Sequence, residues 1–120
     1  MQTGMVTAVG IGSAQTATSL RAGISRYQES TVYNKRFEPM TLALLPDDAL
    51  PPLHDDLAKL PGLTSRQMRM LRLADGALKE VLKDVKHQQP PPLFLAGPEP
   101  YADRAPALTA AFVQHLMTQT

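Results

Sequence analysis

Cysteine and tryptophan are absent from the 120 residues, and three tyrosines and three phenylalanines supply all the aromatic surface. Without cysteine there is no disulfide, no thiolate metal ligand and no thiol nucleophile, a composition that suits a reducing cytoplasm. Any core must be assembled from Leu, Ala, Val, Ile and Met. An excess of either charge is also missing: 12 Lys and Arg against 11 Asp and Glu leave a formal net charge of +1. So weak a field attracts neither nucleic acid nor an anionic membrane surface. No window approaches 18 uninterrupted apolar residues, so no spanning helix is expected. The uncharged start Gln2-Thr3-Gly4 lacks the basic-then-apolar order of a signal peptide. The length suits one domain, residues 1–120, and is too short for two.

Proline is what the chain has in plenty, 11 in all, and the prolines cut it into segments. Residues 5–9 are apolar, stopped by Gly10 and Gly12, and predict a short buried strand. Ser13 is placed to cap a helix whose apolar face is Ala14, Ala17, Leu20 and Ile24, with Gly23 at its end. Residues 26–39 predict extended chain, and the apolar run 40–45 a second strand. Residues 46–61 form a loop with a helical turn at 54–59.

Thr64-Ser65-Arg66-Gln67 has capping-box spacing and opens the strongest helix, which runs through Val85. Met70, Leu71, Ala74, Ala77, Leu78, Val81 and Leu82 recur along it at helical spacing. Asp75 and Lys79 form an i,i+4 pair worth roughly a few tenths of a kcal/mol. Gly76 costs about 1 kcal/mol relative to alanine and so predicts a close neighbour. Beyond Pro90-Pro91-Pro92, residues 93–96 predict a third strand. A last helix begins at Asp103 or Arg104, with Leu108, Phe112 and Leu116 facing inward. Strands alternating with helices predict an α/β layer with a largely parallel sheet of three strands or slightly more. Such a sheet needs cover on both faces, and three helices are too few to supply it.

The motifs exclude more than they assign. Gly10-Ile11-Gly12 lacks the third glycine of a dinucleotide fingerprint, Gln15 standing in its place, and reads as a tight turn. Ser13 has Ile11 and Gln15 where a nucleophile elbow needs glycines. The histidines stand singly at 54, 87 and 115, so neither a Ser-His-Asp site nor a zinc site is expected, and His54 beside Asp55-Asp56 reads as a solvated loop. Arg66, Arg69 and Arg72 make a cationic stripe that serves either as a solvated face or as a contact for a phosphate or an acidic partner. It lacks the aromatics that stack on nucleic acid. Met68, Met70 and Met117 read as core filling.

The residues Val6-Thr7-Ala8-Val9-Gly10 with Ser13, then Leu20-Arg21-Ala22-Gly23-Ile24-Ser25, resemble the first strand and first helix of β-ketoacyl synthases in the thiolase-like superfamily. Those enzymes use a cysteine and two histidines located further on, so no catalytic residue carries over. A narrower resemblance is to the degenerate thiolase-like proteins of bacterial type VI secretion clusters. It is carried by Arg21 to Arg26, Glu29, Phe37-Glu38-Pro39-Met40, the helix from Arg72-Leu73-Ala74 to Val81-Leu82, and Pro98-Glu99-Pro100, over roughly residues 5–101. It implies an N-terminal half of a thiolase-like domain, incomplete relative to the whole, that acts in the bacterial cytoplasm. There it would assist an adaptor in loading a toxin effector, without enzymatic activity or cofactor.

An incomplete α/β layer without reactive groups is expected to cover its open face with another protein. The residues expected to meet that partner are Tyr27, Tyr33 and Phe37 in the extended segment, and Arg66, Arg69 and Arg72. Two alternatives stay open: an acyl-transfer fragment whose Cys and His lie outside these residues, and a homodimer in which two copies complete one sheet.

Overall fold

The computed structural model describes residues 2–83, 94, 96 and 107–119. Strands β1 (Val6–Thr7) and β2 (Gly10–Ile11) pair antiparallel, Val6 opposite Ile11 and Thr7 opposite Gly10. The strand expected at residues 5–9 is thus a tight hairpin turning at Ala8-Val9. Helix α1 (Ser13–Arg21) follows at once. Gly12, not Ser13, is its N-cap and has φ 101°, a conformation that costs any residue with a Cβ. Gly10 is required by proximity, because a Cβ there would lie 2.6 Å from the Thr16 amide.

The face that α1 buries is polar. Thr16 is buried and its hydroxyl donates to the Gly10 carbonyl, while Ser19 donates to the Val9 carbonyl at 2.8 Å. Leu20 and Ile24, expected on the buried face, are exposed, as is Ala14. The reason is the partner. A two-residue ribbon offers α1 unpaired carbonyls rather than an apolar sheet face, and hydroxyls satisfy them. The helix ends as expected at Gly23, with φ 69°. The Gly23 amide donates to the Leu20 carbonyl and the Ile24 amide to the Ser19 carbonyl, the paired bonds of a Schellman cap.

Strands β3 (Tyr27–Tyr33) and β4 (Pro39–Ala43) lie within the two segments expected to be extended, but they too pair antiparallel. The architecture is therefore mixed α/β with two separate two-stranded sheets, and the expected parallel three-stranded sheet is not formed among the described residues. Chain length decides this. Only residues 34–38 separate β3 from β4, whereas a parallel crossover needs about a dozen residues. Tyr27, Gln28 and Glu29 face Ala43, Leu42 and Thr41, and a bulge shifts the register before Tyr33 meets Pro39. Of the third expected strand, Phe94 and Ala96 are exposed and outside regular structure. The remainder of that strand, Pro90 to Pro92 and Val85 lie outside the described residues, as do the side chains of Leu108 and Leu116.

Helices α2 (Asp55–Ala58), α3 (Ser65–Leu82) and α4 (Ala107–Gln119) build the core. The capping box that starts α3 is present: Thr64 Oγ1 accepts from the Gln67 amide and Gln67 Oε1 from the Thr64 amide. Leu57, Leu71 and Phe112 form the buried centre, flanked by Leu53, Leu60, Leu63, Ala74 and Leu78. The opposite side of α3 receives the N-terminal hairpin. A Cβ on Gly76 would sit 2.8 Å from Pro51 Cγ and 3.1 Å from Val6 Cγ2, the close neighbour its position predicted. Met68 and Met70 are half-buried and Met117 is exposed. The radius of gyration is 16.4 Å, against about 13.6 Å for a compact chain of this length.

Asp75 is fully buried on α3. Lys79 Nζ lies 2.8 Å from its Oδ2, too oblique for a directed hydrogen bond, and His115 Nε2 lies 3.4 Å from Oδ1. The i,i+4 pair read from the sequence is thus one arm of a buried polar group that ties α3 to α4. Burial raises what is at stake there, because an unpaired carboxylate in that setting carries its full desolvation penalty.

Candidate functional site

The turn Gly10-Ile11-Gly12, which places a helix N-terminus after a strand, has the backbone of an anion site, and the protein fills it with its own carboxylate. Glu80 on α3 accepts from the Ser13 amide at 2.6 Å, from the Ser13 hydroxyl at 2.5 Å and from the Met5 amide at 3.0 Å. A carboxylate at a helix N-terminus meets both the free amides and the positive end of the dipole. The Ser13 hydroxyl first, then the Ser13 and Met5 amides, hold the Glu80 carboxyl below its ordinary value of 4.5. The amide and hydroxyl of Ser13, which an anion would use, are already engaged by Glu80.

This contact has a pH signature. A carboxyl whose folded-state pKa is depressed stabilises the fold above its unfolded value, and that stability disappears as pH falls through the folded value. Glu80→Gln should therefore melt below the native chain at pH 7. The two melting temperatures should converge below pH 4.5, and parallel curves at every pH would contradict the assignment.

The expected arginine stripe is divided by the fold. Arg69 binds Asp47 Oδ1 through Nη1 and donates to the Leu45 carbonyl through Nη2. Arg72 donates to the Pro51 carbonyl at 2.7 Å and to the Leu50 carbonyl at 2.6 Å. Both guanidinium groups fasten residues 45–51 to α3. Arg66, in the first turn of α3, is exposed.

Tyr27, Tyr33 and Phe37 are brought together on one ribbon. They are 72%, 59% and 86% exposed, and Val32 and Met40 on the same ribbon are exposed as well. Only Ser30 in β3 and Leu42 in β4 are even half-buried, so both faces of the ribbon meet solvent. Its tip is tightly organised. Asn34 Oδ1 accepts from the Arg36 and Glu38 amides at 2.8 and 3.1 Å, and its Nδ2 donates to Glu38 Oε2 at 2.8 Å. The Phe37 amide donates to the Asn34 carbonyl and the Asn34 amide to the Glu38 carbonyl, closing a turn whose last position is left-handed.

Phe37 holds that position with φ 60°, where glycine or asparagine is usual. The conformation costs an ordinary residue about 1–2 kcal/mol. The sequence therefore keeps a bulky ring at a point where it strains the turn and meets little of its own protein.

No family model, curated protein or solved structure matches the chain. Function must be argued from its own side chains. An open hollow of about 270 Å³ between β2 and the base of the ribbon has Arg26 as its one ionisable lining residue, so no acid–base pair converges there. Among the described residues no helix is long and apolar enough to cross a membrane.

Two groupings escaped the sequence. The Glu80 contact joins residues 67 apart, and His54, read as part of a solvated loop, lies against buried His115 with ring centroids 4.8 Å apart and planes tilted by 50°. Neither has a local signal, since each depends on how α3 and α4 are placed.

Proposed function

We propose that the chain is a non-catalytic interaction protein of the bacterial cytoplasm that assists an adaptor in loading a type VI secretion toxin effector. The observation that carries the interaction role is the β3–β4 ribbon, solvated on both faces and tipped by Phe37 in a left-handed conformation. An isolated two-stranded ribbon is marginal in water, and its unpaired edges invite another chain. Aromatic side chains with arginine beside them are the residues that anchor protein interfaces. Lys35 and Arg36 precede Phe37, so the complementary surface is an apolar pocket rimmed by carboxylates. Strain kept at an exposed position is a mark of selection for something other than stability. The resemblance over residues 5–101 supplies the identity of the partner.

The test is to mix the purified chain with the effector adaptor and pass it down a sizing column with light scattering. A complex of summed mass supports the proposal. A doubled mass without adaptor binding would replace it with self-association through the ribbon, and a chain that elutes alone in every mixture would remove it.

A further inference from the structure

We infer that His54, Asp56 and His115 form a zinc site that fastens α2 to α4. One ligand atom from each of the three lies within 4.8 Å of the other two, and His54 Nδ1 stands 3.4 Å from Asp56 Oδ2. Zinc–nitrogen and zinc–oxygen bonds of about 2.0–2.1 Å in a tetrahedron separate neighbouring ligand atoms by roughly 3.3 Å. The first edge is already at that length, and the others, at up to 4.8 Å, must shorten on binding. The ion takes the His54 Nδ1 lone pair that now accepts from the Asp56 amide at 3.4 Å.

The second observation is independent of the spacing. His115 is buried, and its Nδ1 has no hydrogen-bond partner among the described residues. A buried nitrogen without a partner is rare and needs an explanation. Nε2 of the same ring faces Asp75 Oδ1 at 3.4 Å, and Asp75 is itself fully buried. A carboxylate there holds Nε2 as the N–H and leaves the lone pair on Nδ1. Buried carboxylates orient metal-binding histidines in this way. Asp75 is thus a positioning residue, and Lys79 at 2.8 Å balances its charge.

The donor set of two imidazoles and one carboxylate, without thiolate, suits zinc better than calcium or magnesium, which take oxygen. A hollow of about 240 Å³ reaches two of the three ligands, Asp56 and His115, while His54 does not line it; a water there would be the fourth ligand. The role is mechanical. Helix α2 has four residues, and it contributes one of the three buried core side chains, the others being Leu71 of α3 and Phe112 of α4. A metal clip between the two adds folding free energy that so small a core supplies poorly.

The experiment is calorimetric titration of zinc chloride into the full, chelator-stripped chain, with competition by a chromogenic zinc indicator. The expected result is one ion per chain at micromolar affinity or tighter, and a rise in melting temperature on loading. Asp56→Asn changes an exposed residue, whereas His54→Ala removes the half-buried N-cap of α2, so circular dichroism checks the fold of both variants; each should weaken binding at least tenfold. Asp75→Asn should weaken it by about 10–100-fold. His87→Ala, outside the proposed ligands, should change nothing. Absence of saturable binding would overturn the site, as would affinity unaltered in the His54→Ala, Asp56→Asn double variant or lost in His87→Ala.

Discussion

Replacing Leu57 by alanine is expected to lower stability by about 3 kcal/mol. Leu57 is 2% exposed and is the one residue of α2 inside the core, where it meets Leu71 of α3 and Phe112 of α4. Truncation removes the transfer free energy of the side chain and leaves a cavity at the junction of three helices. The effect is large because the buried apolar set is small: among the described residues it is Leu50, Leu57, Leu71 and Phe112. A loss of this size is a large fraction of the stability of an ordinary small domain. Urea denaturation measures it. Leu20→Ala is the control: Leu20 is 64% exposed, and the change should stay within about 0.5 kcal/mol. Equal losses in the two variants would contradict the placement of the core.

Replacing Phe37 by glycine should move stability and binding in opposite directions. Glycine adopts the left-handed turn position without the Cβ clash, so the isolated chain should gain about 1 kcal/mol. Removing the ring should at the same time weaken adaptor binding by at least 30-fold, the effect of losing an interface anchor worth about 2 kcal/mol. Opposite signs are the diagnostic. A residue with a merely structural role would lose both together, and an idle surface residue would change stability alone. Denaturant melts and a titration with the adaptor read the two quantities separately.

The sequence carried its local features reliably. The capping box at Thr64 and Gln67, the helix end at Gly23, the extended segments around residues 27–43 and the crowding at Gly76 all depend on neighbours in the chain or on the stereochemistry of one residue. What failed was pairing. Alternation of strands and helices suggested crossovers, yet each pair of strands is joined by a turn too short for one, and the hairpin signal was obscured because Phe37 stands where a glycine would have announced the turn.

The face expected on α1 failed for a related reason, whereas Leu71 and Ala74 on α3 and Phe112 on α4 lie in or against the core as expected. Counting apolar residues on α1 pointed to Leu20 and Ile24, but the surface opposite is a row of carbonyls, and Thr16 and Ser19 meet it. Of the six candidate contact residues, Tyr27, Tyr33 and Phe37 share the exposed ribbon and Arg66 is exposed. Arg69 and Arg72 bind their own backbone through loop carbonyls more than 20 residues away. The His54, Asp56 and His115 cluster joins residues about 60 positions apart and follows only from the docking of α4 on α2.

Amide hydrogen exchange across residues 27–43, with and without the adaptor, tests most directly that the ribbon exists to be covered. The free chain should exchange quickly there and slowly along α3, where the helix is packed. On binding, protection should rise at least tenfold in the ribbon while α3 stays as it was. A ribbon already protected in the isolated chain, or one that the bound adaptor leaves unprotected, would contradict the account.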